Sequence, residues 1–131
     1  MTFNILTLPL TFRGVISAGW PSPAEEELGD VLTFEEWLVP RREASCLVTV
    51  GTSALKKEGI IPNDVAIMER GRNPQHGDIV IAEIDGRPLI RKYEKVAGLP
   101  QLTSDTGVMQ LNEELDVHIL GVVTSVIRRY R

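Results

Sequence analysis

The chain predicts a mainly β fold: a small, strongly bent sheet or partial barrel with an extended N-terminal arm and one or two short helices. Three observations lead there. Short apolar runs recur along the chain, each bounded by residues that favour turns. The strongest run, Ile79-Val80-Ile81-Ala82-Glu83-Ile84, leads into Asp85-Gly86, a two-residue hairpin signal. The last run, Val117 to Ile127, is long and apolar and carries Gly121 inside it, which predicts a bent closing strand. At 131 residues, 43% hydrophobic and 24% charged, the chain can build one domain with a real core.

Taken in order, Asn4 to Phe12 alternates apolar and polar residues around Pro9. That pattern predicts an extended segment at a sheet edge, because proline removes a ladder donor. Residues 13–30 then read as an exposed arm. Pro21 and Pro23 keep Gly19-Trp20-Pro21-Ser22-Pro23-Ala24 extended, and Glu25-Glu26-Glu27 makes the end of the arm acidic and solvated. The domain organisation read from this is an arm over 1–30 and a β-rich domain over 31–131.

Thr33-Phe34-Glu35-Glu36 is a capping box, with threonine at the cap and glutamate three residues on. It predicts a short helix, Phe34 to Leu38, with Phe34, Trp37 and Leu38 on its apolar side and Pro40 ending it. Leu47 to Val50 reads as a strand. Ala54 to Glu58 is long enough for one helical turn, which Gly59 would end. Val65 to Glu69 is the next strand, Gly71 to Asp78 a loop, Ile79 to Ile84 a strand and Pro88 to Tyr93 its return. Gly98-Leu99-Pro100 reads as a turn. The residues from Leu102 onward are poorly patterned, and Asn112-Glu113-Glu114 reads as another turn.

Composition narrows function. The net charge of -4 gives no footprint for direct nucleic-acid binding. The basic cluster Arg128-Arg129-Tyr130-Arg131 reads as a solvated chain end. One cysteine, Cys46, allows no intrachain disulfide and reads as a small hydrophobe within an apolar run. His76 and His118 stand far apart and make no metal-ligand set with it, so no cofactor is expected. No apolar run approaches a membrane span, and Met1 to Leu10 lacks the pattern of a signal peptide. The expected location is the cytoplasm.

Chemistry centres on Gly51-Thr52-Ser53-Ala54. This small-residue turn comes after the run Cys46-Leu47-Val48-Thr49-Val50 and offers one serine hydroxyl. A serine after a strand is ordinarily a turn residue that bonds its own backbone. It becomes a nucleophile only where a base removes its proton.

Several stretches together resemble the family of UmuD and the LexA repressor, self-cleaving proteins of bacterial DNA-damage responses. Ala18-Gly19-Trp20-Pro21-Ser22-Pro23-Ala24 is similar to the UmuD-type cleavage segment. Gly51-Thr52-Ser53-Ala54 falls at the nucleophile turn. His76-Gly77-Asp78-Ile79-Val80-Ile81-Ala82 with Asp85-Gly86 resembles the hairpin leading to a catalytic lysine. Asp116-Val117 and Gly121-Val122-Val123 resemble the closing strand. The resemblance runs in consistent order over residues 6–131 and implies a LexA/signal-peptidase-like fold.

It also implies a mechanism. Ser53 would attack the Ala18-Gly19 bond of its own arm or a partner's. A lysine in an apolar site would act as base, since burial disfavours its charged form. The family's partners would be a second copy in a homodimer, an activated RecA–DNA filament that promotes cleavage, and a Y-family DNA polymerase. Two relatives are disfavoured. About a dozen residues precede Arg13, too few for a helix-turn-helix module, and no span anchors a signal peptidase.

The chain departs from the family pattern at three places. Thr52 and Ala54 replace the acidic residue and methionine that flank the serine. Leu55-Lys56-Lys57-Glu58-Gly59-Ile60 is one residue longer. Aligned from Asp85-Gly86, the lysine position holds Arg91, and arginine stays protonated. Lys92 becomes the candidate base, on the expectation that a bulge near Arg87-Pro88 shifts the strand by one residue. Two functional readings result: an autoproteolytic UmuD-like protein using Ser53 and Lys92, or a UmuD-like dimeric binding module that has lost proteolysis. An unrelated β-rich binding domain is the third.

Overall fold

The computed structural model describes residues 9–11, 31–112 and 114–131. The chain divides into two compact units, Met1–Pro40 and Arg41–Arg131. In the first, β1 (Pro9–Thr11) pairs antiparallel with β2 (Val31–Thr33), Pro9 opposite Thr33. The expected edge strand around Pro9 is thus present where it is described. Helix α1 (Phe34–Leu38) comes directly after, and its cap is the predicted one: the Glu36 amide donates to Thr33 Oγ1 at 3.0 Å. The expected apolar face is not buried, however. Phe34 and Trp37 remain 42% and 53% exposed.

The second unit holds β3 (Ser45–Thr49), β4 (Val65–Glu69), β5 (Ile79–Ile84), β6 (Arg87–Val96), β7 (Leu99–Ser104), β8 (Gly107–Gln110) and β9 (Val117–Ile127). These seven form one antiparallel, unclosed sheet in the order β3-β4-β9-β5-β6-β7-β8. The mainly β expectation therefore holds. The apolar strands β4, β9 and β5 lie side by side inside the sheet, where both faces can be covered.

Alternation along β5 divides the core. Ile81 joins Val50, Leu55, Ile60, Ala66, Met68 and Ile90 on one face. Val80 and Ala82 join Tyr93, Leu102 and Val122 on the other. We call these the first and second faces.

The bend in β9 has a local cause. Ile81 pairs with Gly121 but Ala82 with Ile119, leaving Leu120 as an extra residue. Ile67 pairs with Ser125 but Met68 with Val123, leaving Thr124 extra. Two bulges in one strand increase its twist and bend the sheet there. Gly121 is required between them. A Cβ at that position would lie 2.5 Å from Met68 Cγ and 2.8 Å from the Glu69 carbonyl oxygen.

Two sequence expectations need correction. The turn placed at Gly98-Leu99-Pro100 is one residue earlier. Ala97 and Gly98 both adopt positive φ, at 53° and 78°, and Leu99 already opens β7. Residues from Leu102 onward are not irregular but belong to the β7–β8 hairpin, Ser104 opposite Gly107. Only Leu102 is fully buried there, so the pair shows no apolar rhythm in the sequence.

Candidate functional site

Ser53 sits in a loop whose neck is closed at the end of β3. The Val50 amide donates to the Asp64 carbonyl, and the Asn63 amide donates back to the Val50 carbonyl, both at 2.8 Å. Between these ends the loop plugs the first face with Leu55 and Ile60, 2% and 5% exposed. These two anchors force the segment between β3 and the plug outward, and Ser53 is exposed. Thr52 Oγ1 accepts from the Ala54 amide at 3.2 Å, a local turn that fixes the serine's approach. Lys56 donates its amide to the Ser53 carbonyl at 3.1 Å, opening a single 3-10 turn, Lys56–Glu58. Gly59 ends it at φ 84°, as the sequence predicts.

The far side of the loop is tied to the β7–β8 turn. Asp105 donates its amide to the Ala54 carbonyl at 2.8 Å, and its carboxylate accepts from the Lys57 amide at 2.9 Å. The neck is braced from the chain end. Asp64, 1% exposed, accepts from Arg128 Nε at 2.7 Å and Nη2 at 2.9 Å, and from the Ile61 amide at 3.0 Å. Arg128 also donates to the Gly59 carbonyl at 2.7 Å. The Arg128 hydrogen bond, followed by that from the Ile61 amide, lowers the Asp64 pKa to about 2. Arg128 is therefore tied to the neck although its side chain stays 36% exposed. The rest of the basic cluster, Arg129 to Arg131, is exposed.

The hairpin β5–β6 supplies the candidate base. Its Asp85-Gly86 turn has positive φ at both residues, the two-residue type the sequence predicts. Pairing then runs without a slip from Ile84–Arg87 to Ile79–Lys92. The bulge expected near Arg87-Pro88 is absent; the sheet's bulges lie in β9. Lys92 reaches the first face without it. Its cross-strand partner Ile79 and its same-side neighbour Ile90 both pack with the first core. Arg91 is opposite Val80, between Leu89 and Tyr93, all in the second core. Its guanidinium donates to the Ile90 carbonyl at 2.7 Å.

Lys92 and the Ser53 loop thus share a face of the sheet, while Arg91 faces away. Lys92 Nζ meets the loop five residues beyond the serine, donating to Glu58 Oε1 at 3.1 Å. Glu94 Oε1 is a second carboxylate at 4.0 Å. A pocket of about 300 Å³ opens beside the serine turn. Val48, Val50, Thr52, Ile81, Pro88 and Ile90 line it, so it is mostly apolar. The proposed scissile residues Ala18 and Gly19, like all of residues 12–30, lie outside the described residues.

A family profile described as Peptidase S24-like matches residues 10–124. The chain belongs to the Peptidase S24-like family. A LexA repressor from Caldicellulosiruptor saccharolyticus is 34% identical over 126 residues, covering 96% of this chain and 61% of the repressor. Protein ImpA of Escherichia coli is 33% identical, covering 92% of this chain and 83% of that protein. Protein SamA of Salmonella typhimurium is 30% identical, covering 95% and 88% respectively. The chain thus spans under two thirds of the repressor's length but most of ImpA and SamA. These family members agree with the resemblance read from the motifs.

Three features of this neighbourhood do not stand out in the sequence: Glu58, Asp105 and the Asp64–Arg128 pair. Glu58 is 34 positions from Lys92, and Asp105 is 48 positions from Lys57, so only topology brings them together. Arg128 offers a faint signal, since a buried acidic residue at a strand start needs a cation. No helix among the described residues is long and apolar enough to cross a membrane.

Proposed function

We infer that this protein is a UmuD-like accessory factor of error-prone DNA repair that cuts its own arm at Ala18-Gly19, with Ser53 as nucleophile and Lys92 as base. The observation that carries the reading is the shared face: Lys92, not Arg91, stands on the side of the sheet covered by the Ser53 loop. Family membership supports the reaction class.

The chemistry is acyl transfer. Neutral Lys92 takes the Ser53 hydroxyl proton as Oγ bonds to the Ala18 carbonyl carbon. Backbone amides of the serine turn stabilise the resulting oxyanion, usually a large contribution. The Lys92 ammonium then gives its proton to the Gly19 nitrogen as the C–N bond breaks. Lys92 next deprotonates water, which releases Ala18 from the serine ester. The apolar pocket beside Thr52 suits a small-residue, extended segment such as the arm. The cleaved form acts as a cytoplasmic homodimer serving a Y-family DNA polymerase, and a RecA–DNA filament promotes cleavage. The net charge of -4 argues against direct DNA binding by this chain.

A second reading has specific support. Lys92 is ion-paired with Glu58, and the motif resemblance, aligned from Asp85-Gly86, gives the lysine position to Arg91. On that reading the chain is an inactive UmuD-like dimeric binding module. One experiment separates them. Purified protein is held at alkaline pH, and separately with activated filament, and the product termini are sequenced. A fragment beginning at Gly19, lost in Ser53→Ala, supports the first reading. A chain intact under both conditions removes it.

A further inference from the structure

Glu58 is the point at which the Ser53 loop touches Lys92. Its carboxylate is the ammonium's close acceptor, at 3.1 Å against 4.0 Å for Glu94. Glu94 is also engaged elsewhere, accepting from Gln101 Nε2 at 3.3 Å. The other charged groups around the pair act differently. Lys56 and Lys57 are exposed in the same turn, and the Asp105 carboxylate is occupied by the Lys57 amide. Thr103, across on β7, reaches only the Lys92 carbonyl, at 3.5 Å. Arg91 faces the second core.

An amine bonded through its ammonium to a carboxylate cannot accept a proton. The same bond aims the lysine at the far end of the turn from the serine. The pair is only partly covered, with side chains 29% and 38% exposed, so it can open without unfolding the loop. We propose that Glu58 is a positioning residue that withholds Lys92 from Ser53, so that self-cleavage waits on the opening of this pair. On opening, the ammonium loses its proton to water and the free amine becomes available to the serine hydroxyl. This rests on the Ser53–Lys92 reading above.

The test has two readouts. In a Ser53→Ala background, which keeps the chain whole, lysine amines are labelled competitively with acetic anhydride and quantified by mass spectrometry. Adding Glu58→Gln keeps the side chain's shape and removes its charge. Lys92 labelling then rises about two- to five-fold at neutral pH, the range for a partly exposed ion pair. In the active protein, Glu58→Gln raises the self-cleavage rate at neutral pH. Glu58→Asp, which keeps the charge, restores the slower rate. A merely structural role would not be rescued by the charge alone. Unchanged Lys92 labelling overturns the proposal whatever the cleavage result. Increased labelling with an unchanged or slower rate shows that Glu58 holds Lys92 but does not restrain cleavage, and overturns it as well. Increased labelling with no cleavage in any variant removes the function itself.

Discussion

Leu55 connects the stability of the domain to the placement of Ser53. Its side chain is 2% exposed and packs with Val50, Ile60, Ala66, Met68, Ile81 and Ile90. Leu55→Ala removes three buried carbons. At about 0.8 kcal/mol per buried methylene, the transfer loss is about 2.4 kcal/mol. The cavity left behind brings the total to about 3 kcal/mol, inside the usual range for this change. For a domain of this size that lowers the melting temperature by about 12–24 °C. Leu55→Met, which keeps the volume, should cost less than about 1.5 kcal/mol. The assay is urea unfolding followed by circular dichroism, with the midpoint falling at unchanged slope. The same variants report on function under conditions where both stay folded. Self-cleavage should fall in Leu55→Ala and persist in Leu55→Met, because the anchor two residues from the serine is lost only in the first. A Leu55→Ala cost below about 1 kcal/mol would mean that the loop is not seated in the core.

Two other predictions concern the frame around the site. The Asp64 carboxylate titrates at about 2 in the folded protein against an ordinary value of 3.8, chiefly because of Arg128. A depressed acidic pKa stabilises the fold above the unfolded value, and that stability drains away as pH falls from about 4 towards 2. Melting temperatures across that window should fall more steeply in the native chain than in Arg128→Met, whose melting temperature is already lower at neutral pH; parallel curves would refute the brace. Gly121→Ala places a methyl 2.8 Å from the Glu69 carbonyl oxygen, a backbone atom that cannot swing aside. It should cost about 1–3 kcal/mol by urea unfolding, the usual range for overpacking.

Much of the sheet was legible because its strands carry their signals locally. Val65–Glu69, Ile79–Ile84 and Val117–Ile127 form with the bounds their apolar runs suggest. The Thr33 cap and the Asp85-Gly86 turn arise from residue chemistry alone. The β7–β8 hairpin was hidden because most of its side chains meet solvent and Pro100 stands inside it, opposite Lys95. The β6–β7 turn was misplaced because Ala97 takes a left-handed conformation that its side chain disfavours, so nothing in the sequence advertises it. At the site, the small-residue turn that carries Ser53 was legible as a turn. The side of the sheet on which Lys92 stands was not. The motif spacing points to Arg91, and only the register against Ile79 and Val80 shows which of the two neighbours stands on the first face. Glu58 was invisible for the same reason: its partner is 34 residues away.

The most direct measurement is intact mass spectrometry of four chains after alkaline incubation: native, Ser53→Ala, Lys92→Ala and Arg91→Ala. A Gly19–Arg131 fragment is expected from the native chain and from Arg91→Ala, and none from the other two. A fragment from Lys92→Ala that is missing from Arg91→Ala would contradict this expectation.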